Sequence, residues 1–125
     1  MRRVFLTRQF TRWLNKTDLT AEALCKAVDE MERGLIDANL GGGIMKKRVA
    51  LPGRGKRGSA RTLVATNNAS RWFFLFGFEK NERDNISAKE LDALKNLAAD
   101  LFKLATNLLE AAVSVGTLRE ICHEN

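Results

Sequence analysis

The sequence predicts a small α+β domain in which an antiparallel sheet packs against helices, in the order β-α-α-β-β-β-α. Three observations predict it. Apolar residues recur at helical spacing from Leu24 to Met31. After Gly41-Gly42-Gly43 the spacing gives way to strand-like runs as far as Phe78. At Ser87 a capping box reopens helical spacing.

Each element has its own warrant. Val4 to Thr7 is apolar and partly β-branched, which suits an opening strand. Phe10, Trp13 and Leu14 follow at i, i+3, i+4, as in a short helix. Thr20 is placed as an N-cap with Glu22 in the first turn. Leu24, Ala27, Val28 and Met31 then form one stripe, and Gly34 stands where a left-handed C′ residue would. Ile44 to Leu51 and Ser59 to Thr66 read as strands separated by the glycine- and cation-rich loop from Pro52 to Gly58. Asn67 to Ser70 is a turn. Arg71 to Phe78 holds five of the nine aromatic residues, with apolar groups on both faces, and so reads as a central strand. Helical spacing then continues from Leu91 to Leu108, running on or breaking before Gly116. Thr117 to Cys122 is a short strand or a tail.

The length of 125 residues suits a single domain spanning 1–125, with 106–125 as a C-terminal extension. A chain of this size can bury roughly two-thirds of its unfolded surface. Two cysteines make no disulfide framework and read as reduced thiols in a cytoplasmic protein. Neither a signal h-region nor a membrane span is visible, so no membrane partner is expected.

The formal charge of +6 is concentrated. Residues 38–78 contain no acid and eight cations: Lys46, Lys47, Arg48, Arg54, Lys56, Arg57, Arg61 and Arg71. The other 84 residues hold 13 basic and 15 acidic groups. Such a sector favours a polyanion, through phosphate neutralisation and counterion release. Lys46 and Arg48 share one face of their strand, while Lys47 and Val49 take the other. Lys80 and Arg83 follow the aromatic strand, so an antiparallel meander can gather these cations on one surface.

Other chemistry finds little support. One histidine, His123, and two cysteines cannot fill a tetrahedral zinc site, so neither metal nor cofactor is expected. Cys122–His123 reads as a frayed terminal pair, with a Cys–His nucleophile pair as the lesser alternative, and Cys25 as a packing residue. Gly53-Arg54-Gly55-Lys56 lacks the strand–GxxxxGK[ST]–helix context of a phosphate-binding loop. Gly41-Gly42-Gly43 reads as a tight connection, with a phosphate cradle as the alternative. Cations alone can serve RNA cleavage. They stabilise the charge that builds when a ribose 2′-oxygen attacks its own phosphate, and in-line positioning supplies much of the remainder.

Four blocks carry a resemblance: Leu40-Gly41-Gly42-Gly43-Ile44-Met45-Lys46-Lys47-Arg48-Val49-Ala50, Gly53-Arg54-Gly55-Lys56-Arg57-Gly58, Arg61-Thr62-Leu63-Val64, and the run from Phe73 to Ile86. In this order, over about residues 3–105, they resemble the RelE-type branch of the RelE/ParE toxin superfamily. The Pro52–Gly58 loop looks like that of HigB-like relatives. The resemblance implies a RelE-like fold and the toxin of a type II toxin–antitoxin system. It implies a metal-independent mRNA interferase, an endoribonuclease that cuts message on the ribosome and inhibits translation. Its implied partner is a cognate antitoxin, with a helix-turn-helix DNA-binding type expected. The oligomeric state is left open.

Carried over by position, Arg61 matches the strand arginine at the scissile phosphate, and Arg48 a strand cation lining the site. Lys80 matches the cation after the last core strand, and Lys56 lies in the variable basic loop. Lys46, Lys47, Arg54, Arg57, Phe78, Asn81 and Arg83 complete the candidate RNA contacts, Phe78 either stacking on a base or buried. Asn81 departs from the arginine often found there. Ser87 stands near where several relatives place tyrosine or histidine, and the chain has no tyrosine. No general base therefore carries over. The alternatives are a ParE-like inhibitor of DNA gyrase and a non-enzymatic RNA-binding module.

Overall fold

A computed structural model describes residues 2–52, 58–67 and 70–123. The elements are β1 (Arg3–Thr7), α1 (Arg8–Leu14), α2 (Ala21–Glu32), β2 (Ala38–Gly41), β3 (Ile44–Ala50), β4 (Ser59–Thr66), β5 (Arg71–Glu79), α3 (Ala88–Phe102), α4 (Thr106–Ser114) and β6 (Leu118–Ile121). They build a six-stranded sheet in the order β2-β3-β4-β5-β1-β6. The antiparallel expectation holds for four of its five ladders. The exception is β1–β5, which pair in parallel with Val4 opposite Trp72 and Phe5 opposite Phe73. About half of the chain separates these two strands, and a long crossover of that kind is what parallel pairing requires.

Local chemistry accounts for the starts of α1, α2 and α3. Thr7, Thr20 and Ser87 each accept a hydrogen bond from the backbone N–H three residues on, which satisfies a donor the helix cannot. At Ser87 the box closes, because Glu90 accepts in turn from the Ser87 N–H. The apolar spacing after Leu91 conceals a break. The Lys103 and Leu104 N–H groups turn back to Asp100 and Leu101, and α4 starts anew at Thr106. Arg71 stabilises this break by donating to the Leu104 carbonyl at 2.6 Å, where the C-terminal end of α3 is most electronegative.

Helices cover both faces. On one face α1 and α2 bury Phe10, Leu14, Leu24, Val28 and Met31 against Val4, Leu6, Val49, Val64 and Phe74. On the other, Leu94, Ala98 and Leu101 of α3 and Leu109 of α4 cover Phe5, Ile44, Leu63, Phe73 and Leu75. The central position expected for the aromatic strand is therefore observed in β5. Gly77 is required there, because a Cβ would lie 2.4 Å from the Trp13 ring of α1. Gly41 ends β2 and Gly42-Gly43 make the turn into β3, all three with positive φ (84°, 63° and 82°).

Two expectations about the termini are corrected or resolved. Residues 118–121 form β6, which pairs with β1 as the edge strand on that side of the sheet. Arg3 ties the segment down through Glu120 at 2.8 Å and Glu110 at 2.8 Å. The cysteines, read as reduced thiols, are instead joined as a Cys25–Cys122 disulfide. Their separation of 97 residues left no local signal of pairing, and only the return of β6 beside β1 brings Cys122 to α2. Among the described residues, no helix is long and apolar enough to cross a membrane.

Candidate nucleic-acid interface

The register of the meander assembles the candidate site. In the β3–β4 ladder Arg48 lies opposite Arg61, and in the β4–β5 ladder Arg61 lies opposite Phe78. Directly paired residues point to the same face, so Arg48, Arg61 and Phe78 form one row. One step along that face lies a second row, Lys46, Leu63 and Phe76. α3 covers the Leu63 end of this face, and the arginine row lies beyond its packed core.

Two like charges opposed across a ladder disfavour the sheet. Among the described residues one carboxylate moderates this pair. Asp37, the last acid before the acid-free sector, accepts from the Arg48 backbone N–H at 2.7 Å, and its Oδ1 lies 3.8 Å from the Arg48 Nε. The Arg48 side chain stays largely exposed. Arg61, half-buried, has no carboxylate partner among the described residues. Past the row, the Leu51 N–H donates to the Gly58 carbonyl at 2.6 Å and closes the base of the hairpin. Arg54, Lys56 and Arg57, three of the expected contacts, lie outside the described residues. Lys80 and Asn81 are exposed just after β5, whose last residue, Glu79, pairs with Ala60 beside Arg61.

Three expected contacts are placed otherwise. Lys47 is on the opposite face and 7% exposed. Its ammonium donates to the Leu35 carbonyl at 2.8 Å and pairs with Glu30 at 3.1 Å, so it fastens α2 to the sheet. Phe78 is on the site face but only 2% exposed, which resolves the choice between stacking and burial in favour of burial. Arg83 helps to cover it: the guanidinium stands 5.7 Å from the Phe76 ring centre and 5.9 Å from that of Phe78. The same guanidinium donates from both terminal nitrogens to Glu90, and from Nε to the Asn85 carbonyl at 3.0 Å. Three of its five N–H groups are thus engaged within the protein. The charge-assisted bonds from Arg83, with the Ser87 N–H next, hold the Glu90 carboxyl down at about 2. Glu90 is therefore ionised and paired at neutral pH, unsuited to donating a proton.

The Ser87 hydroxyl accepts from the Glu90 N–H and serves the helix cap. His123 stands beside Cys122, after β6, and its Nε2 is 3.1 Å from the Glu120 carbonyl. β6 is at the opposite side of the sheet from β3 and β4, so the histidine is remote from the arginine row. Among the described residues no group of three His, Cys, Asp or Glu side chains is placed to hold a metal ion. What sequence reasoning missed was Asp37, whose position at the edge of the acid-free run was the available signal.

The row can bind phosphate oxygens on two adjacent guanidinium groups, with further cations at its margin. No curated protein matches the chain. A family model described as RelE toxin of RelE / RelB toxin-antitoxin system matches residues 2–121, nearly the whole chain and all of the sheet. The chain therefore belongs to the RelE toxin family of toxin–antitoxin systems.

Proposed function

We propose that this toxin is a ribosome-dependent mRNA endonuclease whose phosphate site is the Arg48–Arg61 pair. The observation that carries the reading is the opposition of these two arginines on one face of the sheet, with Asp37 the one carboxylate beside Arg48 among the described residues. Such a pair costs stability in the free protein and is relieved by an anion. The attack of a 2′-oxygen on the adjacent phosphate concentrates charge on the non-bridging oxygens, where two preorganised guanidinium groups act most strongly. Lys80, exposed after β5, extends the contact toward the leaving or attacking side. With Glu90 paired and Ser87 engaged in the cap, catalysis rests on charge stabilisation and positioning. The partner that silences the toxin is a cognate antitoxin, with an acidic segment laid over Arg48, Arg61 and the basic loop.

Induction followed by primer extension tests this. A translated message should be cut while the same message lacking its start codon stays intact, and Arg61→Ala or Lys80→Ala should abolish both cleavage and growth arrest. Intact message during arrest by the wild-type protein would sink the proposal. DNA-damage signalling under those conditions would favour gyrase as target. Salt-sensitive RNA binding without products would favour a binding module.

A further inference from the structure

Beside the arginine row lies a small pocket of about 150 Å³, lined by Gln9, Phe76, Ile86, Glu90, Ala93 and Leu94. We propose that it receives one unstacked nucleobase of the RNA held on Arg48 and Arg61, and that Gln9 reads the edge of that base. The proposal rests on the phosphate reading of the row and adds a base-specific subsite to it.

The size and lining fit this occupant. Cavities of about this volume with aliphatic and aromatic walls accept one aromatic ring. Here Phe76 supplies a ring wall, while Ile86 and Leu94 supply aliphatic ones. The position also fits. Phe76 neighbours Phe78 on the same face, with ring centres 6.1 Å apart, and Phe78 is the residue opposite Arg61. The pocket is thus two residues along one strand from the arginine row, a span that a single nucleotide bridges. Arg83 stands beside both rings, its guanidinium carbon 5.7 Å from the Phe76 centre and 5.9 Å from that of Phe78, with three N–H groups donating to Glu90 and Asn85.

The polar groups on the rim differ in availability. Both Glu90 oxygens are engaged by Arg83, and one also accepts from the Ser87 N–H. Gln9, exposed at the start of α1, has no hydrogen-bond partner among the described residues. Its amide can both donate and accept, which is what discrimination between base edges needs.

The test uses the full chain and uncleavable 2′-O-methyl trinucleotides, one for each base, with an abasic trinucleotide of equal charge as control. NMR would follow the methyl groups of Ile86, Ala93 and Leu94 and the Gln9 side-chain amide, beside backbone signals of Arg48 and Arg61. The expected result is a base-dependent shift in the pocket signals. Gln9→Ala should weaken the preferred trinucleotide by roughly three- to tenfold, the worth of one hydrogen bond. Ala93→Leu, an exposed helix position, should fill the pocket and abolish the base dependence while the Arg61 response persists. Shifts confined to Arg48 and Arg61, or equal pocket shifts with the abasic control, would overturn the subsite and leave the phosphate reading standing. Silence at every signal would overturn both.

Discussion

Arg48 and Arg61 face one another across the β3–β4 ladder, two guanidinium side chains on the same face with, among the described residues, a single carboxylate, Asp37, beside one of them. A sheet selected for stability alone would not keep this pair, since like charges directly opposed cost roughly 0.2–1 kcal/mol. Function and stability are therefore expected to separate here. Arg48→Ala and Arg61→Ala should each leave stability unchanged or raise it by up to about 1 kcal/mol. Each should reduce message cleavage by roughly a hundredfold or more, the usual consequence of removing one charge-stabilising donor. Chemical denaturation alongside primer extension measures both quantities. A variant that loses stability in step with activity would show the pair to be a structural feature.

Lys46 and Lys47 are neighbours in sequence with opposite surroundings. Lys46 is on the site face in the row with Leu63 and Phe76, whereas Lys47 is buried on the other face against Glu30 and the Leu35 carbonyl. Lys46→Ala should lower the slope of log affinity against log salt by roughly 0.7–1, one phosphate contact, with stability unchanged. Lys47→Ala should leave the slope alone and destabilise the fold by about 1–3 kcal/mol, since it strips a carbonyl and a carboxylate of their donor. An unaltered slope in Lys46→Ala, or a reduced one in Lys47→Ala, would contradict this division of labour.

That contrast shows what the sequence made legible. Alternation along β3 separates Lys46 and Arg48 from Lys47, and the cap residues Thr20 and Ser87 locate two helices to the residue. These signals are local. What was hidden depends on distant elements. The role of Lys47 needs Glu30 on α2, that of Arg71 needs the end of α3, and the burial of Phe78 needs Arg83 folded back onto its ring. β2, with four residues, is too short for a periodic signal, and the bend between α3 and α4 falls within an unbroken apolar pattern.

Glu90 makes the acid limb of stability a readable quantity. Its carboxyl falls from an ordinary 4.5 to about 2, chiefly through Arg83. A depressed folded value means that the unfolded chain binds the proton more readily. The stabilisation is complete above the ordinary value and is lost as the pH falls from 4.5 toward 2. Glu120, lowered in the same direction by Arg3, adds to this slope, so Glu90→Gln should flatten it without abolishing it. Arg83→Ala should flatten it as well, by returning Glu90 toward its ordinary value. Melting temperatures taken from about pH 5 down to about pH 2 provide the comparison. Parallel curves for wild type and Glu90→Gln would rule out the Arg83–Glu90 pair as a source of acid sensitivity.

The Cys25–Cys122 bond closes most of the chain into one loop, its ends 97 positions apart in sequence. Loops of that length lose the most chain entropy on cross-linking, and removing such a bond typically costs about 2–4 kcal/mol. The cost need not spread evenly. Arg3 still holds Glu110 and Glu120 after reduction, and Leu118 and Ile121 stay buried. β6 nevertheless remains an edge strand of four residues, held by β1 alone in the sheet. Reductant or Cys25→Ser should therefore lower global stability by about 2–4 kcal/mol. Amide protection should fall first at Leu118–Ile121, before the β3–β5 meander that carries Arg48 and Arg61. Hydrogen exchange with and without reductant, after thiol titration of the unfolded protein, checks both parts. Two free thiols in protein purified under air, or equal protection in β6 under both conditions, would defeat the prediction.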